Sequence, residues 1–580
     1  MATGTLNFGC RGVTDSPVPG SRSRPFKWWD EGMASLVLGP VLRYVGETNA
    51  TIFVETDEHC RVTVRSEGRE WSCQTFSAHG HHYAIVLVDG LEPASIQDYS
   101  VDLGDQQVWP EADSEFPPSR IATLDPAKDA SFLFGSCRTS VSHDKEGTDL
   151  HGVDAMRSYA YEMRRNPDHW PDFVLFLGDQ LYADDTSPQM RDFIEKRRGL
   201  DDPPGEEVKD FIEYAELYRL AWTEPANRWL LSTLSSAMIF DDHDVRDDWN
   251  TSAAWHEEMN KKSWWHERIV GALGSYWIYQ HAGNLDHEAL QDDKIWKIIA
   301  AHRDSSELDL TEVVDAFGEE VDKDPTTYRF SFTRGLGESR VIVIDSRAAR
   351  DLRPDHRAML DADELAWLDE QMRGDCQHLF IGSSLPFLLP TGIHDLESMN
   401  ETWAQGDRPR LAKLGEKVRQ AVDLEHWAAF EKSFRDVSQM VMQVARGERG
   451  KAPATITFLS GDVHNSYVNE VTRTREPIES KIVQAVCSPI RNPLPRHVRM
   501  LQGTLAGWMG GPMRSLVNKF PKVKKPDFDW ETTHGPWFDN NLARVEVLGP
   551  RLLLTWARGD VEGDDYDNPG LVRVATVLID

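Results

Sequence analysis

Cysteine, tyrosine, histidine and several aspartates recur in this sequence just beyond short apolar runs. The fullest case is PDFVLFLGDQLYADD, residues 171–185, where the run Phe173–Leu177 stops at Gly178-Asp179 and Tyr182 and Asp184-Asp185 follow. A short apolar run ending in turn chemistry reads as a buried strand. Residues just past such a strand lie where α/β sheets place their ligands. A carboxylate and a phenol there could hold a hard metal ion, and a phenolate suits ferric iron. Alone, Asp179 reads equally as a helix N-cap, and Tyr182 more often as a packed aromatic.

Three further clusters have the same form. Ser136-Cys137-Arg138 follows Phe132–Phe134. A lone Cys at a strand end is more often an inert core thiol, but beside Arg138 its thiolate is favoured and would bind a transition metal. Arg138 could grip a phosphate with its fork of donors, against the alternative of a surface ion pair. Asp241-Asp242-His243-Asp244 follows Ala237–Phe240. One acid there can ligate a metal, and His243 can protonate a leaving oxygen or steady a transferring phosphoryl group; the plain reading is a solvated acidic turn. Ser460-Gly461-Asp462-Val463-His464 follows Thr455–Leu459. In an extended segment Asp462 and His464, two apart, share one side as a compact ligand pair.

Seven buried strands in all are expected from Ala130 on: the four already given, with Val341–Ile344, Leu379–Gly382 and Val483–Val486. Each ends in a polar cluster, which is the pattern of a sheet whose strand ends carry a site. Between them, residues 186–235, 251–325 and 395–450 read as helical insertions capping the sheet. Leu542–Val547, Arg551–Trp556 and Leu571–Leu578 read as strands completing a second sheet. Ahead of this part, Leu36–Leu38, Val41–Val45, Ala50–Thr56, Arg61–Val64, His82–Val88 and Tyr99–Leu103 suggest a β-sandwich. Leu91-Glu92-Pro93 followed by Tyr99 resembles the pattern of fibronectin type III-like modules. The division expected is an arm over 1–34 docking through Trp28-Trp29, a sandwich over 35–126 and a larger α/β domain over 127–580. The basic patch Lys519–Lys525 reads as a solvated loop.

The totals narrow the function. A net charge of −32 opposes non-specific binding to nucleic acid or anionic membrane. It leaves a phosphorylated substrate open, because bound cations reverse a local field. Six cysteines in this length, without a CxxC, do not make a disulfide framework. No run reaches the roughly 18 apolar residues of a membrane span. The N-terminus shows no secretory or twin-arginine signal, so a cytoplasmic protein is expected.

The succession FGSCR, LGDQLY, FDDHD and LSGDVH resembles the alkaline phosphatase D (PhoD-like) branch of the metallophosphoesterases. The resemblance runs over most of the chain from about Ala130, and the preceding sandwich matches that branch's N-terminal domain. It implies a four-layer α/β/β/α core with a metal centre at the strand ends. Ordinary relatives begin with D-x-H and continue with GD, GNH and GHxH, whereas this branch places Cys first and adds a Tyr, as Cys137 and Tyr182 do. By resemblance, Cys137, Asp179, Tyr182, Asp462 and His464 hold ferric iron and adjacent metals, with Asp179 bridging. Asp242 replaces the Asn ligand of GNH, and His243 matches its His. A further ligand His of ordinary relatives is missing, since the matching strand ends Gly382-Ser383-Ser384-Leu385-Pro386. That favours calcium with water ligands in the second position; zinc, manganese and magnesium are the alternatives.

The expected reaction is phosphate-ester hydrolysis, with a metal-held hydroxide attacking phosphorus in line, Arg138 orienting the phosphate and His243 assisting the leaving group. The alternatives are phosphodiester cleavage of the phospholipase D type at the same centre, and a non-catalytic binding protein on a degenerate phosphatase domain. Neither the natural substrate nor the oligomeric state is readable from the sequence.

Overall fold

All seven expected runs form strands, because each is an apolar stretch closed by glycine or by polar turn residues. In chain order they are β1 (Ser131–Gly135), β2 (Phe173–Leu177), β3 (Ser235–Ile239), β4 (Ser339–Ile344), β5 (His378–Ser383), β6 (Thr455–Ser460) and β7 (Lys481–Val486). The computed structural model describes residues 34–353, 356–406, 409–421, 424–494 and 526–580. The expected arm, with Trp28-Trp29, and the patch Lys519–Lys525 lie outside the described residues.

The seven divide between two sheets of a mixed α/β fold. One has the order β3-β2-β1, continued by Asn541–Leu548, Arg551–Asp560 and Gly570–Ile579. The first three run parallel, and Asn541–Leu548 is antiparallel to β1. The C-terminal strands therefore complete the sheet that β1 begins. The other sheet has the order Phe332–Leu336, β4, β5, β6, β7, Ser466–Thr474 and Phe528–Trp537, with β4 to β7 parallel. Parallel strands are buried on both faces, which is why these runs are continuously apolar rather than alternating.

The two sheets pack on one another. Phe132 of β1 meets Phe380 of β5 edge-on at 5.1 Å between ring centres. On the opposite face of the second sheet, Ile342, Leu379, Ile381 and Phe458 pack with Leu368 of helix Ala362–Gln371 and with Phe434, Val437 and Val441 of helix Glu431–Ala445. The three expected insertions are helical, for example Phe211–Trp222, Trp265–Tyr276 and Thr391–Ala404. Among the described residues no helix is long and apolar enough to cross a membrane.

The N-terminal strands form a sheet of Leu36–Val45, Asn49–Thr56, His81–Asp89 and Phe76–Ala78, and a second of Arg69–Gln74, Arg61–Ser66, Ser100–Leu103 and Gln106–Trp109. Leu42, Ile52, Val54, Val62, Val64, Val86 and Val101 share a core there. Two features tie these strands to the rest. Leu308–Asp309, from the second insertion, adds to the first sheet in parallel beside Phe76-Ser77. Tyr99 gives its hydroxyl to the Ser232 carbonyl, 2.7 Å away, and so anchors on helix Pro225–Thr233.

Candidate metal centre

The loops leaving β1, β2, β6 and β7 are laced together by their own backbone. Cys137 N donates to Gly178 O at 3.3 Å, Ile490 N to Ser136 O at 2.7 Å, and Asp462 N to Ser136 Oγ at 3.1 Å. Two glycines allow this approach. A Cβ on Gly461 would lie 1.9 Å from Ser136 Oγ, and one on Gly178, whose φ is +105°, would lie 2.6 Å from Asp241 Cβ. The glycines in LGD and SGD thus set the spacing at which two sheets can share one site.

Cys137, Asp179, Asp462 and His464 all have positive φ, at 60°, 46°, 64° and 50°. Asp and His enter this region more readily than most residues, but a run of four at adjoining strand ends stores strain that only a demanding site explains. Ligand atoms of Cys137, Asp179 and His464 lie within 4.8 Å of one another. Tyr182 Oη closes the group, 3.4 Å from Asp179 Oδ2 and 3.5 Å from His464 Nε2. Cys137 Sγ also has the hydroxyls of Ser136 at 3.0 Å and Ser488 at 3.2 Å. The structure thus gathers these four predicted residues into one cluster, buried but for the half-buried His464.

A second group adjoins it. Asp179, Asp241 and Asp242 each offer a carboxylate oxygen within 4.8 Å of the other two. Asp179 Oδ1, Asp241 Oδ2 and Asp242 Oδ1 are buried without a hydrogen-bond partner. Buried carboxylate oxygens are costly to leave bare. Asp242 Oδ1 has Arg347 Nη2 at 3.1 Å, close enough for charge attraction but not aligned as a hydrogen bond. The donor sets therefore fit cations: sulfur, nitrogen, phenol and carboxylate on one side of Asp179, carboxylates alone on the other.

The electrostatics of the bare side chains agree. Burial, reinforced by Asp241, Asp242 and Asp244 and opposed by His243, pushes the Asp179 carboxyl well above its usual range. Burial raises Cys137, with Asp179 and Asp462 adding to it, and raises Tyr182, with Cys137 and Asp179 adding to it. Burial and the nearby His243 lower His464 to about 4, which leaves it neutral as a ligand must be. A cation among these groups reverses the penalty on the anionic forms.

His243 lies beside this cluster, its ring 4.7 Å from that of Tyr182. Its Nδ1 meets Asp184 Oδ1 at 2.9 Å and Oδ2 at 3.1 Å. Burial disfavours its charge, yet Asp184 and Asp242 raise it well above 6.5. Burial likewise works against Asp184, but His243 and the Asp247 amide hold that carboxylate down at about 2.

One expectation changes. Arg138 does not reach into the cluster for a phosphate. It is buried, with Nε and Nη2 on Asp154 Oδ2 at 2.9 and 2.8 Å and Nη1 on the Ala221 carbonyl at 2.8 Å. Its donors are used in tying the loop after β1 to two helices. Asp462 lies at the site, but its Oδ2 is held by His426 Nε2 at 2.9 Å, and His426 Nδ1 meets Glu397 Oε1 at 2.8 Å. Its main-chain oxygen, instead, lies 3.6 Å from Cys137 Sγ.

The sequence reading passed over Asp184, Arg347, Glu397, Glu425 and His426. Arg347 is fully buried, paired with Asp241, and 2.5 Å from Glu425 Oε2 through Nη1. It follows β4 in Asp345-Ser346-Arg347, so the rule of polar strand ends points to it. Glu397, Glu425 and His426 come from the third insertion, and no strand-end pattern marks them. The strand end lacking the extra His supplies Ser384 instead, whose Oγ donates to Asp241 Oδ1 at 2.9 Å.

Two family models match. That of the PhoD-like phosphatases covers residues 147–507, and a domain of unknown function covers residues 33–121. A solved structure of PhoD superposes with a TM-score of 0.54 at 13% identity, covering 94% of this chain and 92% of that one, and so shares its fold. A type III pullulan hydrolase from Thermococcus kodakarensis matches at 8% identity over 94% of this chain and 100% of that chain, but its TM-score of 0.15 carries no argument. Among curated proteins none matches in sequence.

Proposed function

This chain belongs to the PhoD-like phosphatase family, and we propose that it hydrolyses phosphate esters at a metal centre built on Cys137, Asp179, Tyr182 and His464. The observation that carries this reading is the convergence of those four side chains with two further buried carboxylates, Asp241 and Asp242, around oxygens of all three aspartates that have no hydrogen-bond partner. A thiolate and a phenolate favour ferric iron, and the all-oxygen side favours calcium. When bound, the metals supply an activated water for in-line attack on phosphorus and offset the charge on the phosphate oxygens.

The chain's own residues do the rest. Asp179, common to both groups, would hold a metal in each. Asp242 takes the second position beside it. Asp462, held by His426, shapes the loop that presents His464 and stays available at the rim of the second position. His243 is the proton donor to the leaving oxygen, and Asp184 keeps it charged and fixed through Nδ1. Positioning and charge stabilisation account for most phosphoryl-transfer catalysis, and a rigid, strained cluster suits that task. Arg138 has no part in holding the phosphate.

The architecture belongs to the same proposal. The packed sheet pair with helices outside it is read as an α/β/β/α core over 127–580, and the strands over 35–126 as a fibronectin III-like sandwich. The test is phosphate release from p-nitrophenyl phosphate and from its bis ester by protein of known metal content. Release of phosphate that disappears on chelation and returns with metal supports the reading. A metal-replete protein inert on both esters rejects it.

A further inference from the structure

We propose that Asp241 is the third ligand of a hard-cation subsite whose other protein ligands are Asp179 and Asp242. This rests on the metallophosphatase reading and deepens it, since the sequence pattern marks only Asp242 of the Asp241-Asp242 pair as a ligand.

The neighbouring aspartates provide an internal comparison. Asp244 is a buried acid of the same loop and is satisfied by the chain itself: Leu181 N donates to Oδ1 at 3.1 Å and Asp241 N to Oδ2 at 2.9 Å. It is a loop brace. Asp241 differs. Its Oδ1 is held by Arg347 Nε and by Ser384 Oγ at 2.9 Å, while its Oδ2, fully buried, has no hydrogen-bond partner. One oxygen is fixed by the protein and the other is left bare in the group with Asp179, whose Oδ1 is likewise bare, and Asp242, whose Oδ1 has only the Arg347 Nη2 charge at 3.1 Å. Holding one oxygen while presenting the other is how outer partners orient a ligand carboxylate.

Arg347 does not remove the need for a cation. Two guanidiniums, Arg347 and Arg350, face Asp241, Asp242 and Glu425, and Asp179 adds a fourth carboxylate, so the cluster keeps an excess of negative charge. The role of Arg347 is to aim Asp241. The donors are carboxylate oxygens only, with no nitrogen or sulfur among them. That selects a hard divalent ion such as calcium over zinc or iron. Sharing Asp179 with the Cys137–His464 group couples the two positions, and Asp241 supplies a protein ligand where the His after β5 is absent.

Asp241→Asn isolates the claim. The amide oxygen still accepts from Arg347 and Ser384, while the bare oxygen becomes an NH2 group that repels a cation. Calcium titration of the iron-loaded protein by calorimetry is the readout, with the visible thiolate- and phenolate-to-iron absorption as a control. The expected result is calcium affinity weakened roughly 10- to 100-fold or more, with iron content and absorption unchanged. Equal calcium affinity in the variant overturns the proposal. If the variant does not fold, an anomalous difference map of calcium-soaked wild-type crystals decides. Density in coordination range of Asp241 supports it, and density elsewhere or none overturns it. Wild-type phosphate release reports on the parent reading separately, so an active enzyme with an Asp241-independent calcium site sinks only this inference.

Discussion

Nδ1 of His243 stands 2.9 Å from Oδ1 of Asp184, a residue whose own carboxylate is held ionised by that ring and by the Asp247 amide. The pair lies at the edge of the acidic cluster, with the His243 ring tilted against that of Tyr182. Fixing Nδ1 leaves Nε2, 3.9 Å from Asp247 Oδ1, as the nitrogen that can turn to a substrate.

Asp184→Asn removes the charge that raises the His243 pKa. The protonated fraction of His243 then falls at any pH near or above neutrality. The alkaline limb of kcat is expected to move to lower pH, and the loss to be about tenfold for p-nitrophenyl phosphate and larger for an alkyl ester, whose leaving oxygen needs the proton more. Equal losses on the two esters with an unmoved limb would refute the proton-donor role.

Asp179 is the one residue common to the sulfur-containing group and the all-oxygen group. Asp179→Asn is therefore expected to lose both metals and the activity together. Cys137→Ser is expected to lose iron while keeping calcium, with bleaching of the visible absorption. Elemental analysis of the purified variants checks both, and full iron retention by Cys137→Ser would remove the thiol from the ligand set.

Much of this site was legible because its chemistry sits at strand ends. Phe173–Leu177 is continuously apolar, so its end is sharp, and Asp179 and Tyr182 stand just past it. The same holds for Cys137, Asp242-His243 and Asp462-x-His464. What stayed hidden needed a partner from elsewhere in the chain. Arg138 looked like a phosphate ligand because nothing local shows Asp154 and Ala221 closing on it. Glu397 and His426 lie in a helical insertion whose folding back onto Asp462 leaves no local pattern. The pairing of Leu308–Asp309 with Phe76-Ser77 is hidden for the same reason, since two residues are too few to carry a period. The division of the strands between two sheets rests on long-range register, which apolar runs of similar length do not encode.

Arg138 provides a test of that distinction. With its guanidinium buried against Asp154, Arg138→Met leaves that carboxylate with only the Met156 and Arg157 amides and Asn227 as hydrogen-bond donors, and a cost of up to about 3–5 kcal/mol is expected. Thermal or urea unfolding should show the loss, while KM for a phosphate monoester stays within about twofold in the folded fraction. A large rise in KM with unchanged stability would restore Arg138 as a phosphate contact.

The metal-free chain should respond to pH in a direction the acidic cluster dictates. Asp179, Asp241, Asp242 and Asp244 all have carboxyl groups raised on folding, chiefly by burial, and Asp244 is raised to about 7. A group raised on folding contributes stability that is full below its unfolded value, near 3.8, and is lost as pH rises through the folded one. For Asp244 that window runs from about 4 to about 7. Asp184, depressed to about 2, acts oppositely and only below about 4, so it does not offset the loss. Bound cations supply the missing positive charge and displace those protons, which cancels the effect at the ligand carboxylates. The melting temperature of the metal-loaded form should therefore pull ahead of the chelated form as pH rises through the interval above the ordinary carboxylate value, near 4, and loading there should release protons into a weakly buffered solution. Charges remote from the site enter both forms alike and drop out of the difference. Parallel melting curves across that interval, with no proton release on loading, would mean that no cation binds among these carboxylates.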